Sequence, residues 1–315
     1  MHGLLKELYP ICRSITGDGV RDTLEILKRF IPLNVHEVAS GTKVFDWTVP
    51  DEWNINDAYI LDEKGNKVVD FKENNLHVVN YSIPVDKVIS LEKLQEHLHS
   101  YPSIPDAIPY VTSYYKRYWG FCLSEKVRNT LKPGDYTVKI DSTLKPGSLT
   151  YGELLIEGET DKEILLSTYI CHPSMVNNEL SGPVLTTWLA KELLGRSVKP
   201  YYSYRIVFLP ETIGAITYLS KNYKIMKDKT IAGYVITCVG GPDNFTYLRS
   251  RQGDCLTDKI TEHVLKTNKY PHRILPYTKR GSDERQYCSP GIDLPVGPLM
   301  RSKYHEHKEY HLSSD

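Results

Sequence analysis

The sequence predicts an α/β protein, a mostly parallel sheet sandwiched by helices, interrupted by an inserted mainly β domain. Two observations carry this. From Gly152 onward, short and almost wholly apolar runs alternate with segments of helical periodicity. That is the pattern of strands buried on both faces and joined by crossover helices. Between residues 42 and 148 the texture changes to short alternating segments, turn signals and irregular stretches, which read as paired strands.

In chain order, Leu4 to Cys12 reads as a short amphipathic helix stopped near Pro10. Thr16-Gly17-Asp18-Gly19 is a turn and helix start, and Val20, Leu24, Leu27 and Phe30 then recur at helical spacing. Leu33 to Val38 alternates like a strand. In the insert, Glu63-Lys64-Gly65-Asn66 separates YIL from KVVDF and predicts a hairpin. Pro105 and Pro109 follow among many tyrosines, and DYTVKIDS alternates again. Further on, GELLIEG, EILLSTYI, YRIVFL, IAGYVITCVG and LPVGPLM predict strands. SGPVLTTWLAKELLG, IGAITYLSKN and LTDKITEHVLKT predict helices. Residues 1–41 and 149–315 thus form one discontinuous α/β domain, and 42–148 the β-rich insert. In such sheets ligands collect beyond the carboxyl ends of the strands.

Lys+Arg and Asp+Glu are equal at 39, which gives no electrostatic reason for a nucleic-acid or membrane partner. MHGLLKELYPICRS becomes charged too soon for a secretory signal, and no run approaches the ~18 apolar residues that span a bilayer. The six cysteines are irregularly spaced without a C-x-x-C pair, which predicts reduced thiols and a cytoplasmic protein.

Three polar clusters sit at the predicted strand ends. Cys171-His172-Pro173 leads to Asn177-Asn178-Glu179-Leu180-Ser181-Gly182; Pro210-Glu211-Thr212 follows YRIVFL; Gly281 to Tyr287 precedes a closing stretch with His305, His307 and His311. A strand-end imidazole suits zinc. A glutamate at the neighbouring strand end, Glu211, is placed as general base toward a metal-bound water. Asp283, Arg285 and Tyr287 are candidates for lining the substrate cleft, with Arg285 pairing either with a substrate carboxylate or with Asp283 or Glu284. Gly240-Gly241 lacks the context of a phosphate loop.

The order of these motifs resembles the zinc aminopeptidase superfamily, which includes glutamate carboxypeptidase and glutaminyl cyclase. More narrowly, TYICHPS, NNELSGP, PETIG, RGSDERQYCSPGI and EYH are similar to a bacterial family of aminopeptidase-like proteins with an inserted β domain. The resemblance covers nearly the whole chain and implies a zinc-exopeptidase-like fold. It also implies two zinc ions held by a His, a bridging Asp, a Glu, an Asp and a final His. His172 and His311 match the first and last. Asn178 stands at the bridging Asp, Thr212 at the ligand Glu, Cys238 at the other Asp, and Ser174 at the Asp that supports the first His. In the family a further helix and a winged-helix module follow the EYH motif. The chain ends at Asp315, before both, which predicts an uncovered sheet face and leaves a homo-oligomer open.

A neutral carboxamide binds zinc poorly, and the lost carboxylates remove most of the charge that holds two dications about 3.5–4 Å apart. One zinc ion is therefore the expectation, or none. Its ligands would be His172 and His311, joined by Cys238, Glu179, Asp283 or Glu284, with Asn178 beside them. His305 and His307 are further ligand candidates, although H-E-H beside K-E-Y reads more readily as a solvated loop. The implied activity is hydrolysis of a peptide or small amide. The alternatives are a catalytically degenerate member that binds a ligand or partner, and a metal-dependent acyl transferase or cyclase.

Overall fold

The apolar runs of the second half become the centre of an eight-stranded sheet. The computed structural model describes residues 1–278 and 281–315; Arg280, which opens one quoted motif, lies outside them. In chain order the principal elements begin with α1 (His2–Leu8), α2 (Asp18–Lys28), β1 (Asn34–Ala39), β2 (Glu52–Leu61), β3 (Lys67–Asp70), β4 (Val85–Ser90) and β5 (Asp135–Lys145). Then come β6 (Ser148–Ile156), β7 (Glu163–Tyr169), α3 (Ser181–Leu194), β8 (Ser203–Leu209), α4 (Ile213–Lys229) and β9 (Thr230–Ile236). The chain closes with β10 (Phe245–Leu248), α5 (Leu256–Thr267), β11 (His272–Leu275), α6 (Glu284–Tyr287) and β12 (Val296–Met300).

The large sheet has the order β1-β6-β8-β7-β9-β12-β10-β11. Its middle, β8-β7-β9-β12, is parallel. The flanks depart from a simple parallel reading: β6 runs antiparallel to both β1 and β8, and β10 antiparallel to β12. Hydrophobic pattern marks a strand but not its neighbour, so strand direction at the flanks is not written in it. β10 and β11 were not among the expected strands, being only four residues each.

Side chains alternate across the sheet as the pleat requires. Along β8, Ile206 and Phe208 enter the core on one face, and Val207 and Leu209 the core on the other. Val20, Leu24 and Leu27 of α2 join the first of these cores, with Val184 and Ala190 of α3. Ala215, Tyr218 and Leu219 of α4 join the second. The insert forms its own antiparallel sheet, β3-β2-β5-β4, and the expected turn at Gly65 connects β2 to β3 with a positive φ of 82°. Buried Trp53 of β2 packs in the same cluster as Tyr151 and Leu165 of the main sheet. That contact seats the insert beside the strand ends. No helix among the described residues is long and apolar enough to cross a membrane.

Candidate active site

Three parallel strands end side by side. Cys171-His172 follows β7, Pro210-Glu211 follows β8, and Thr237-Cys238 follows β9. The backbone here is strained. Ser174, Thr212, Cys238 and His311 all have positive φ, at 36°, 62°, 51° and 59°, and each such residue costs about 1–3 kcal/mol that the surroundings must hold in place. Thr212 is the sharpest case. With ψ at −74° and Ile213 N–H donating to the Glu211 carbonyl at 2.7 Å, it forms the rare γ-turn of positive φ, unfavourable for a β-branched residue. Its own N–H donates to Asp283 Oδ1 at 2.7 Å.

His172 is 4% exposed. Its Nδ1 lies 2.8 Å from Glu179 Oε2 and its Nε2 3.6 Å from Glu211 Oε2. The Glu179 carboxylate assigns the hydrogen to Nδ1, which leaves Nε2 turned to the cleft. Glu179 comes from a π-helical turn, Val176–Leu180, that enters α3; such turns concentrate at functional sites. Arg13, wholly buried, stands 3.5 Å from Glu179 Oε1 and donates through Nε to the His172 carbonyl at 2.9 Å. Ser174 makes no such contact, its hydroxyl donating to the Tyr9 carbonyl at 2.9 Å. The carboxylate behind His172 is thus Glu179, five residues after the position where the family pattern would place it. Burial opposes a charged His172, but its contacts with Cys171 and Glu179 outweigh it and raise the imidazole well above its ordinary range, so a cation at Nε2 would have to displace a proton.

Glu211 is 23% exposed and faces the cleft. Its Oε1 accepts from Ser282 Oγ at 2.6 Å, and its N–H donates to Cys171 Sγ at 3.2 Å. Burial raises its carboxyl above the ordinary range, with His172 and Ser282 pulling back. That direction suits a base working near neutrality. Burial also pushes the Cys171 thiol up to about 11, so this cysteine is a neutral acceptor for the Glu211 backbone.

The other expected residues scatter more widely. His311 lies 5.4 Å from His172 between ring centroids and stacks on Tyr310 at 3.9 Å. Burial drives it well below the usual imidazole range, and its Nε2 is buried without a partner. Asn178 donates its N–H to both Asp315 oxygens at 2.8 and 2.9 Å, while its Oδ1 is buried and unpartnered. Cys238 is closed off among Leu248, Met300 and Tyr304, its thiol pushed up to about 12 by burial. Glu284 is wholly buried and accepts from the Tyr304 hydroxyl at 2.9 Å. Of the three expected to line the substrate, Asp283 is buried behind Thr212 and Arg285 is exposed. Tyr287 is core, bonded to Ser167 at 2.9 Å.

The cleft itself measures about 310 Å³. His172, His311, Glu211 and Cys171 face it from the α/β side, and Trp47, Tyr110, Tyr114 and Tyr115 from the insert. Tyr110 sits 5.0 Å from the His172 ring and 5.1 Å from His311. The tyrosine-rich stretch was visible in sequence, but nothing in it pointed to this wall.

These donors do not fit two zinc ions. Asn178 brings no charge, Cys238 is held as a thiol, and Thr212 turns its N–H to Asp283. They fit one ion at the unpartnered Nε2 of His311 and the cleft-facing Nε2 of His172. Cys171, His172 and Glu179 place ligand-type atoms within 4.8 Å of one another. Those atoms are already bonded among themselves, Nδ1 to Glu179 at 2.8 Å and to Cys171 at 3.4 Å, so this trio supports the site from behind.

A family model described as a domain of unknown function, DUF4910, matches residues 2–315. A Clostridium acetobutylicum protein, provisionally named for polysaccharide biosynthesis with an aminopeptidase-like domain, is 54% identical over 315 residues, which is 100% of this chain and 72% of that protein. The crystal structure of a protein from C. acetobutylicum, provisionally named a peptidase, matches with a TM-score of 0.96 at 53% identity, over 99% of this chain and 73% of that one. The zinc aminopeptidase BSAP from Bacillus subtilis matches with a TM-score of 0.65 at 10% identity, over 99% and 88%. The last is a likeness of fold, and the fold is that of the zinc aminopeptidases.

Proposed function

The chain belongs to the DUF4910 family, and from that premise we propose that it is a hydrolase that cleaves an amide with water, Glu211 acting as general base. One observation carries this: the Glu211 carboxylate is presented to the cleft, oriented by Ser282 at 2.6 Å and 3.6 Å from His172 Nε2. One zinc ion at His172 and His311 would lower the pKa of a bound water and polarise the amide carbonyl. Glu211 takes the proton from the attacking water at Oε2 and returns it to the leaving nitrogen. Arg13 and Glu179 hold His172 so that Nε2 stays turned to the cleft. The name of the Clostridium relative places that protein in polysaccharide biosynthesis, which favours a small biosynthetic amide over a peptide being degraded.

The test is Glu211→Gln, read by turnover, circular dichroism and zinc content together. We expect kcat to fall roughly 10²–10⁴-fold with the fold intact, and zinc to be lost in His172→Ala. Full turnover by Glu211→Gln would remove the mechanism. A second reading, a binding protein without catalysis, is favoured by the absence of charge at Asn178, Thr212 and Cys238. It predicts ligand binding by the wild type with no turnover under any zinc loading.

A further inference from the structure

We propose that the substrate is an N-acylated amino sugar, which the enzyme deacylates. This rests on the reading of Glu211 as general base and narrows it to a substrate class.

The first ground is charge. An aminopeptidase must hold the α-ammonium of its substrate, and a desolvated cation needs a carboxylate partner. Among the described residues Glu211 is the one carboxylate that lines this cleft, and it contacts Ser282 and His172. The neighbouring acids are sealed: Glu179, Asp283 and Glu284 are 0% exposed, as is the Asp315 side chain. Among the described residues, a peptide N-terminus finds no counter-charge in this cleft unless it disables the base. A neutral amide needs none.

The second ground is shape. Trp47 and Tyr115 meet edge to face at 5.6 Å at the cleft, and Tyr115 is 75% exposed. Thr48 and Thr112 line the same space. Aromatic rings beside hydroxyls suit a ring with an apolar C–H face and a hydroxyl edge, as a pyranose has. The volume of about 310 Å³ is at the small end for ligand sites. It takes one sugar ring with a short acyl group. In the reaction the water oxygen adds to the acyl carbon, the C–N bond breaks, and the nitrogen leaves with the proton from Glu211. The products are a carboxylate and a free amino sugar.

The experiment uses the zinc-loaded protein with N-acetyl-D-glucosamine, its uridine diphosphate ester and L-leucine p-nitroanilide. Acetate release from a sugar with no nitroaniline release is expected. Trp47→Ala and Tyr115→Ala should each raise KM about tenfold, the order of a lost aromatic contact, with kcat within about threefold. Saturation-transfer NMR should show N-acetyl-D-glucosamine ring protons contacting the wild type and Glu211→Gln, with Trp47→Ala needing about tenfold more sugar for the same signal. Nitroaniline release without acetate release would overturn the sugar substrate and leave the hydrolase standing. Ring contacts without turnover of any substrate would keep the sugar site and remove the hydrolase. Neither turnover nor contact would overturn the proposal.

Discussion

Among the described residues, two arginines are buried beside the main sheet, and they are treated differently. Arg205 of β8 donates through Nε and Nη2 to both oxygens of Glu163, at 2.6 and 2.8 Å, and through Nη1 to Glu153 and to the Tyr218 hydroxyl. Each guanidinium nitrogen has a partner. Arg13, near the strand ends, leaves Nη2 without a partner, and Glu179 Oε1 lies 3.5 Å from Arg13 Nε, too far for a good hydrogen bond. Asn178 Oδ1, His311 Nε2 and Asp283 Oδ2 nearby are buried and unpartnered as well. Native proteins satisfy nearly all buried polar atoms. A cluster of exceptions beside a cleft, with strained backbone, marks where stability has been given up for chemistry.

The largest effects should come from removing each guanidinium. Arg205→Met and Arg13→Met both strand a buried carboxylate, which costs roughly 3–5 kcal/mol, measurable as a lower urea midpoint. The two then part. Corrected for the folded fraction, Arg205→Met should keep wild-type kcat, while Arg13→Met loses it because the His172 carbonyl and Glu179 are both released. An equal loss of kcat in the two variants would erase the distinction between the networks.

The difference between the networks also decides what could be read from sequence. The α/β class was legible because buried parallel strands are apolar throughout, and the placement of Glu211 and His172 at strand ends was legible from the apolar runs that precede them. Helix α4 begins at Ile213, as its apolar periodicity requires. The support of His172 was not legible. It depends on a π-helical turn that brings Glu179 behind the imidazole, and on Arg13, which is 159 residues away from His172 in the chain. The aromatic wall comes from the insert, through tertiary packing that no local pattern encodes. Tyr287 misled because a polar-flanked tyrosine after Asp283 and Glu284 looks like a cleft residue, whereas its one-turn helix α6 rotates it into the core.

A middle-sized effect tests the carboxylate pair. Glu179→Gln keeps an acceptor for His172 Nδ1 but removes the charge. Losses of outer-shell partners of this kind run about 10–100-fold, so kcat and zinc affinity, the latter by chelator competition, should both fall in that range. Glu163→Gln should change stability alone. Ser174 supplies the sharper control. Its φ of 36° is one that Asp tolerates better than most residues, and it occupies the position where the superfamily carries an aspartate. Adding Ser174→Asp to Glu179→Gln should restore much of the zinc affinity. If it restores none, Glu179 does more than orient the imidazole.

The smallest effect is the one that depends on pH. Burial, with Glu211 adding to it, holds the Asp283 carboxyl well above the ordinary carboxylate range in the folded protein. The folded state therefore binds the proton more tightly than the unfolded chain, whose aspartates titrate near ~3.9. Below that pH both states are protonated, and the protonated Asp283 contributes its full stability. As pH rises from there toward the raised folded value, the unfolded chain ionises first and that contribution is progressively lost. Asp283→Asn keeps an oxygen for the Thr212 N–H, bonded at 2.7 Å in the wild type, and cannot ionise. Its stability should match the wild type near pH 4 and exceed it at pH 7.5, read as a higher thermal midpoint at the higher pH. Parallel curves for Asp283→Asn and the wild type would mean that Asp283 ionises in the fold without cost, and that the strand-end cluster is as well balanced as the one it is contrasted with.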